Sequence, residues 1–129
     1  RQDLAQHFAT SAALAVTGGS EISDAIGLYK EIDDSDGGSG FSFKDLAADR
    51  AGTQFAQVAT ASAARAKYVR ERLAQKPSID ELIPDLSGLE EKMTDAAFKA
   101  RYGGIEDKRY LDVVAEIYRR IATSPIFKR

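Results

Sequence analysis

The 129-residue chain contains no cysteine, a single histidine and only three prolines. Without cysteine it has no disulfides, thiol catalysis or thiolate metal site, although this absence does not fix the compartment. With one imidazole, a site built on several histidines is excluded as well. No apolar run approaches the roughly 20 residues that a membrane helix requires. Charge of one sign is also scarce in any one place: 18 basic residues are scattered among 20 acidic ones, the net charge is −2 and the pI is near 5.4. A chain with no basic stripe is a poor partner for nucleic acid.

Two familiar loops are missing too. The glycine-rich stretch "GGSGFS" follows a helical pattern rather than a strand, so it lacks the context of a phosphate-cradling loop. The calcium-loop template started at Asp33 finds Gly38 at the turn but Lys44 where the closing Glu belongs. Started at Asp34 it meets Ser39 at the turn and Asp45 at the close, so an EF-hand is not expected.

What is present is helical patterning nearly throughout. Hydrophobic residues make up 43% and charged residues 29%, ordinary globular usage for one domain that buries roughly two-thirds of the surface exposed by its unfolded chain. Leu4, Phe8, Ala12 and Ala15 recur at three-to-four spacing and predict a helix from Asp3 to Val16, stopped at Gly18-Gly19. Ser20 is a candidate N-cap for a second helix carrying a narrow apolar stripe of Ile22, Ile26, Tyr29 and Ile32, broken at Asp36-Gly37-Gly38. Ser42 and Asp45 have capping-box spacing and open a long helix near 42–75, with a bend around Thr60 to Ser62. "KPSIDELIPDLSG" reads as a connector with one short helical turn at Ser78 to Leu82. Ser87 with Glu90 repeats the box and predicts a helix start there, with an interruption at Thr94 and a stop at Gly103-Gly104. A last amphipathic helix, Asp107 to Ala122, places Tyr110, Val113 or Val114, Ile117 and Ile121 on one side and Arg119 and Arg120 outside. No strand alternation persists, so the expected fold is all-α, a single compact domain of five to six helices.

Small residues line Ala48, Gly52, Ala56, Ala59 and Ala63 of the third pattern and Ala5, Ala9 and Ala12 of the first. Such faces let helix axes approach closely, although alanine also supplies plain helix propensity. Close approach would bring polar groups on neighbouring helices together. Gly27, Glu31 and Asp34 share one helix face, Asp45 and Asp49 another, and His7 lies on a face with Asp3 and Ser11, with Lys30 nearby. One imidazole with several carboxylates suits a hard or borderline divalent cation, and a carboxylate pair of unequal burial can divide acid and base roles.

Each of these residues also has a plainer role. Asp45 can serve the Ser42 cap, Asp33, Asp34 and Asp36 can be turn formers, and Lys30 and Glu31 an exposed pair. A lone helical histidine is commonly a hydrogen-bonded structural residue. Ser11, Ser39 and Ser42 are the hydroxyls near this constellation, without an elbow motif to mark a nucleophile. Tyr102 reads as an aromatic packing contact beside the glycine stop.

"QDLAQHFATSAAL", "GLYKEIDD" and "GSGFSFKDLAADRAGT", in that order, resemble an uncharacterised family of bacterial envelope lipoproteins of the YfiM type, over residues 2–59. The matching positions are His7, Ser11, Lys30, Glu31, Asp34, Ser39, Gly40, Ser42, Asp45, Asp49 and Gly52. A fainter similarity reaches VanZ-like membrane proteins. The resemblance implies an exported bacterial protein, periplasmic or tethered to the membrane by an anchor upstream of Arg1. The segment between the first two elements is shorter than the family's, which speaks against a membrane-apposed role for these residues. No activity comes with the family. The first expectation is therefore a noncatalytic structural or interaction module whose polar cluster fixes helix register. The alternative is a divalent-metal or hydrolytic site formed by His7, Glu31, Asp34, Asp45 and Asp49. A third is a protein partner on the apolar face of the last helix. The register network requires every cluster group to be buried and saturated by protein hydrogen bonds, whereas a site requires convergence beside a cavity.

Overall fold

The structure is a computed structural model and describes residues 2–35, 38 and 40–127. Among them are six α-helices: α1 Gln2–Gly18, α2 Ser20–Ser35, α3 Phe43–Thr60, α4 Ala63–Ala74, α5 Asp95–Tyr102 and α6 Lys108–Ala122. Two 3-10 turns, Ile79–Glu81 and Pro125–Phe127, complete the order. No β-strand occurs among the described residues beyond a single antiparallel bridge between Phe41 and Met93, so the domain is all-α. The expected stops at Gly19 and Gly103 are present, with φ of 90° and 76°, backbone that only glycine adopts cheaply. Asp36, Gly37 and Ser39 of the glycine-rich link lie outside the described residues.

Helix α3 is the spine, packing against α1, α2, α4 and α6. Its small residues allow this. A Cβ added at Gly52 would sit 2.1 Å from the Phe8 carbonyl oxygen, so the backbones of α1 and α3 are in contact where glycine leaves room. Ala48 and Ala56 are buried with it, whereas Ala9 and Ala63 from the same patterns are exposed.

The expected long helix near 42–75 is two helices. At Ala61 the ladder slackens to an i−3 bond of 3.4 Å, and Ser62, in extended backbone, accepts from the Arg65 N–H through its hydroxyl and starts α4 afresh. The bend expected at Thr60 to Ser62 is therefore a break. The helix expected to open at Ser87 begins instead at Asp95, capped by Thr94. Residues 90–93 give their backbone bonds to the start of α3: Phe41 N–H donates to Met93 O at 2.7 Å and Phe43 N–H to Glu90 O at 2.8 Å. Glu90 accepts from the Tyr102 phenol, and Ser87 turns to Asp85.

The core lies between α3, α5 and α6, joined by Leu4 and Phe8 of α1 and by Ile83, Leu89 and Met93 of the connector. Phe41 stacks on Phe98 at 4.3 Å and Phe43 meets Tyr102 edge-on at 4.8 Å, with Tyr110, Ile117 and Ile121 of α6 closing the cluster. The apolar face of α6 is thus core, which corrects the expectation that it is free for a protein partner. Arg120, placed outside from the sequence, is half-buried and donates to the carbonyls of Asp85 and Ser87, both at 2.9 Å.

Helix α2 is inverted relative to its pattern. Its stripe faces solvent, with Ile22 55% and Tyr29 71% exposed, while Ser23, Gly27, Glu31 and Ser35 form the buried row. The short polar row fits against α1 and α3 because it carries hydrogen-bonding groups that those helices satisfy. The Ser23 hydroxyl donates to Ser11 O at 2.9 Å and shares a hydrogen bond with Thr53 Oγ1 at 3.0 Å.

Candidate functional site

That buried row carries Glu31 into the junction of α1, α2 and α3. His7, one turn from the start of α1, lies between two carboxylates of α3. Its Nδ1 is 3.0 Å from Asp49 Oδ1 and its Nε2 3.4 Å from Asp45 Oδ2. Asp45 and Asp49 are four residues apart and so face α1 together. Ser11, one turn beyond His7, donates to the same Asp49 oxygen at 3.2 Å. Glu31 is fully buried at 0% exposure. One of its oxygens, Oε1, accepts the Ser42 N–H at 2.9 Å, the donor that a capping-box carboxylate takes, while Ser42 Oγ caps the Asp45 N–H at 3.1 Å. The other, Oε2, is buried without a hydrogen-bond partner.

The electrostatics follow from this packing. The hydrogen bond to Asp49 raises the His7 pKa above its usual value, over the opposing effect of burial. Burial pushes Glu31 up to about 7 against the Ser42 N–H, helped by the charges of Asp45 and Asp49. The Glu31 carboxyl is therefore poised to change protonation near neutrality, and the imidazole holds its proton more firmly than a free one.

One ligand atom each from His7, Glu31 and Asp49 falls within 4.8 Å of the others, and Asp3, His7 and Asp45 form a second such group. These spacings suit a cation with one nitrogen and several oxygen donors. Of the residues singled out from sequence, His7, Ser11, Glu31, Ser42, Asp45 and Asp49 come together. Lys30 is exposed at the rim, lining cavities on both sides of His7. Asp34 is half-buried at the mouth of one cavity and joins neither ligand group. Ser39 lies outside the described residues.

Sequence reading missed Ser23 and Thr53, whose hydroxyls support the site from below, and the ion pair of Arg50 with Asp24 at 2.7 Å beside it. The four-residue spacing of Ser23, Gly27, Glu31 and Ser35, opposite the isoleucines, was the signal available for the first. Compared with known proteins, the chain matches no family model, no curated protein and no solved structure.

Proposed function

We propose that this protein is a divalent-cation-binding module of the bacterial envelope, with His7, Glu31 and Asp49 as the binding groups and Asp45 flanking them. The carrying observation is Glu31, a fully buried carboxylate whose Oε2 has no hydrogen-bond partner and which offers an oxygen within 4.8 Å of ligand atoms of an imidazole and a second buried carboxylate. A buried polar atom left unpaired costs about 1–3 kcal/mol, more for a charged group. A cation removes that cost and lets Glu31 ionise. Envelope location rests on the resemblance of the three sequence elements.

The register reading has its own support in Ser11, Ser23 and Thr53, which are buried and mutually satisfied. It accounts for the floor of the junction and for Glu31 Oε1, which caps Ser42, and leaves Glu31 Oε2 unexplained.

Metal analysis of the purified protein, with thermal shifts across Mg²⁺, Ca²⁺, Mn²⁺ and Zn²⁺, tests the proposal. At least one cation should stabilise the fold, by about 2.7 kcal/mol at a hundredfold excess over Kd. Glu31→Gln, which keeps an acceptor for Ser42, and His7→Ala should both abolish the gain. Equal responses from wild type and both variants, or no response to any cation, would overturn it.

A further inference from the structure

The two cavities that flank His7 share Lys30 but differ in character. One, of about 220 Å³, is walled by Asp3, Asp34, Asp45 and Glu91 along with Lys30 and Lys92. Four carboxylates suit it to attract and pass a cation, and repel an anion. The other, of about 190 Å³, has one carboxylate, Asp49, and is otherwise lined by neutral polar groups such as Gln6 and Thr10, by Leu14 and Ile26, and by Lys30. Gly27 belongs to this wall: a Cβ there would stand 3.1 Å from Asp49 Oδ2, so the glycine leaves that oxygen uncrowded. Lys30 is exposed and makes no ion pair with a described residue.

Building on the cation reading, we propose that the second cavity is the seat of a small organic oxyanion whose head bridges the bound cation and the Lys30 ammonium and whose short aliphatic part lies over Leu14 and Ile26. The volume falls below the roughly 300–1,000 Å³ of sites for drug-sized ligands, which points to a small molecule rather than a polymer. The cation supplies the positive charge that the carboxylates alone would deny, and the ammonium holds the head from the rim. The apolar pair gives selectivity for a carbon-bearing anion over inorganic phosphate.

The test is calorimetric titration of the cation-loaded protein with butyrate and with butyl phosphate, inorganic phosphate and butanol serving as comparisons. Either organic anion should bind, tighter than inorganic phosphate or butanol, and only when cation is present; which one binds tighter identifies a carboxylate or a phosphate head. Lys30→Met should weaken that binding about tenfold or more without weakening cation affinity, since it removes a positive charge from beside the cation's ligands. Ile26→Asp, at an exposed position, should weaken it as well by placing a like charge in the mouth. Cation binding without anion binding, or Lys30→Met binding the anion as wild type does, overturns this inference and leaves the cation reading standing. Failure of wild type to bind any cation overturns both.

Discussion

Glu31 and His7 set opposite demands on solvent pH from those of most surface groups, and both push the same way. The Glu31 carboxyl moves from 4.5 in the unfolded chain to about 7 in the fold, so between those values the folded state holds more protons. Stability of the cation-free protein then falls as pH rises from about 4.5, and the full cost, about 3 kcal/mol, is reached above pH 7. His7, raised above 6.5, adds stability that is complete below that pH and lost as pH climbs through its folded value. Under the proposed function a bound cation would reverse the trend, because it would take the deprotonated ligands and so gain affinity as pH rises. Urea denaturation between pH 5 and 8 in chelator should show wild type losing stability relative to Glu31→Gln, and added cation should erase the difference. Parallel curves for the two proteins in chelator would show that Glu31 ionises freely in the fold.

Helix α2 decides what its residues mean. Its apolar stripe reads as a core face, and substitution of core Ile or Tyr ordinarily costs about 2–5 kcal/mol. Because the stripe is exposed, Ile22→Ser and Tyr29→Ser should each change stability by no more than about 0.5 kcal/mol in chemical denaturation. Losses above 2 kcal/mol would mean that the stripe, not the serine row, is the packed face. The helices themselves, their glycine stops and the shared face of Asp45 and Asp49 were legible in the sequence because a period of 3.6 and a four-residue spacing are local properties, whereas the meeting of His7 with that face, 42 residues away at Asp49, was expected only if the helices converged. The orientation of α2 was not, since Ser23 and Glu31 repay burial only through Ser11, Thr53 and Ser42, which are distant in the chain. The same holds for Ser87: its box is overridden by hydrogen bonds that residues 90–93 make with Phe41 and Phe43. The break at Ser62 was half legible. A polar residue at a bend is visible in sequence, but whether it caps a new helix depends on the extended backbone that it adopts.

At the scale of the molecule, α3 separates two environments, the polar junction with α1 and α2 on one side and the aromatic core with α5 and α6 on the other. Arg50 ties them. It is buried, pairs with Asp24 of α2 at 2.7 Å, and has the Tyr110 phenol of α6 against it, while the Tyr118 phenol lies against Asp24. A guanidinium in that position must keep its counter-charge, since removing one partner strands the other in a poorly solvated site. Asp24 retains 31% side-chain exposure, so water can compensate in part. Asp24→Ala should therefore cost about 2–3 kcal/mol, below the roughly 3–5 kcal/mol of a fully enclosed pair. The double variant Asp24→Ala with Arg50→Met should recover most of that loss, because methionine fills the arginine's space without a charge to satisfy. Guanidinium denaturation of the two singles and the double closes the cycle. Cation affinity of the double variant should match wild type, since Glu31 and Asp49 take their positions from the serine row and the Gly52 contact rather than from this pair. Additive losses in the cycle would mean that Arg50 is held by the tyrosines alone and that α2 docks through its small polar residues without ionic help.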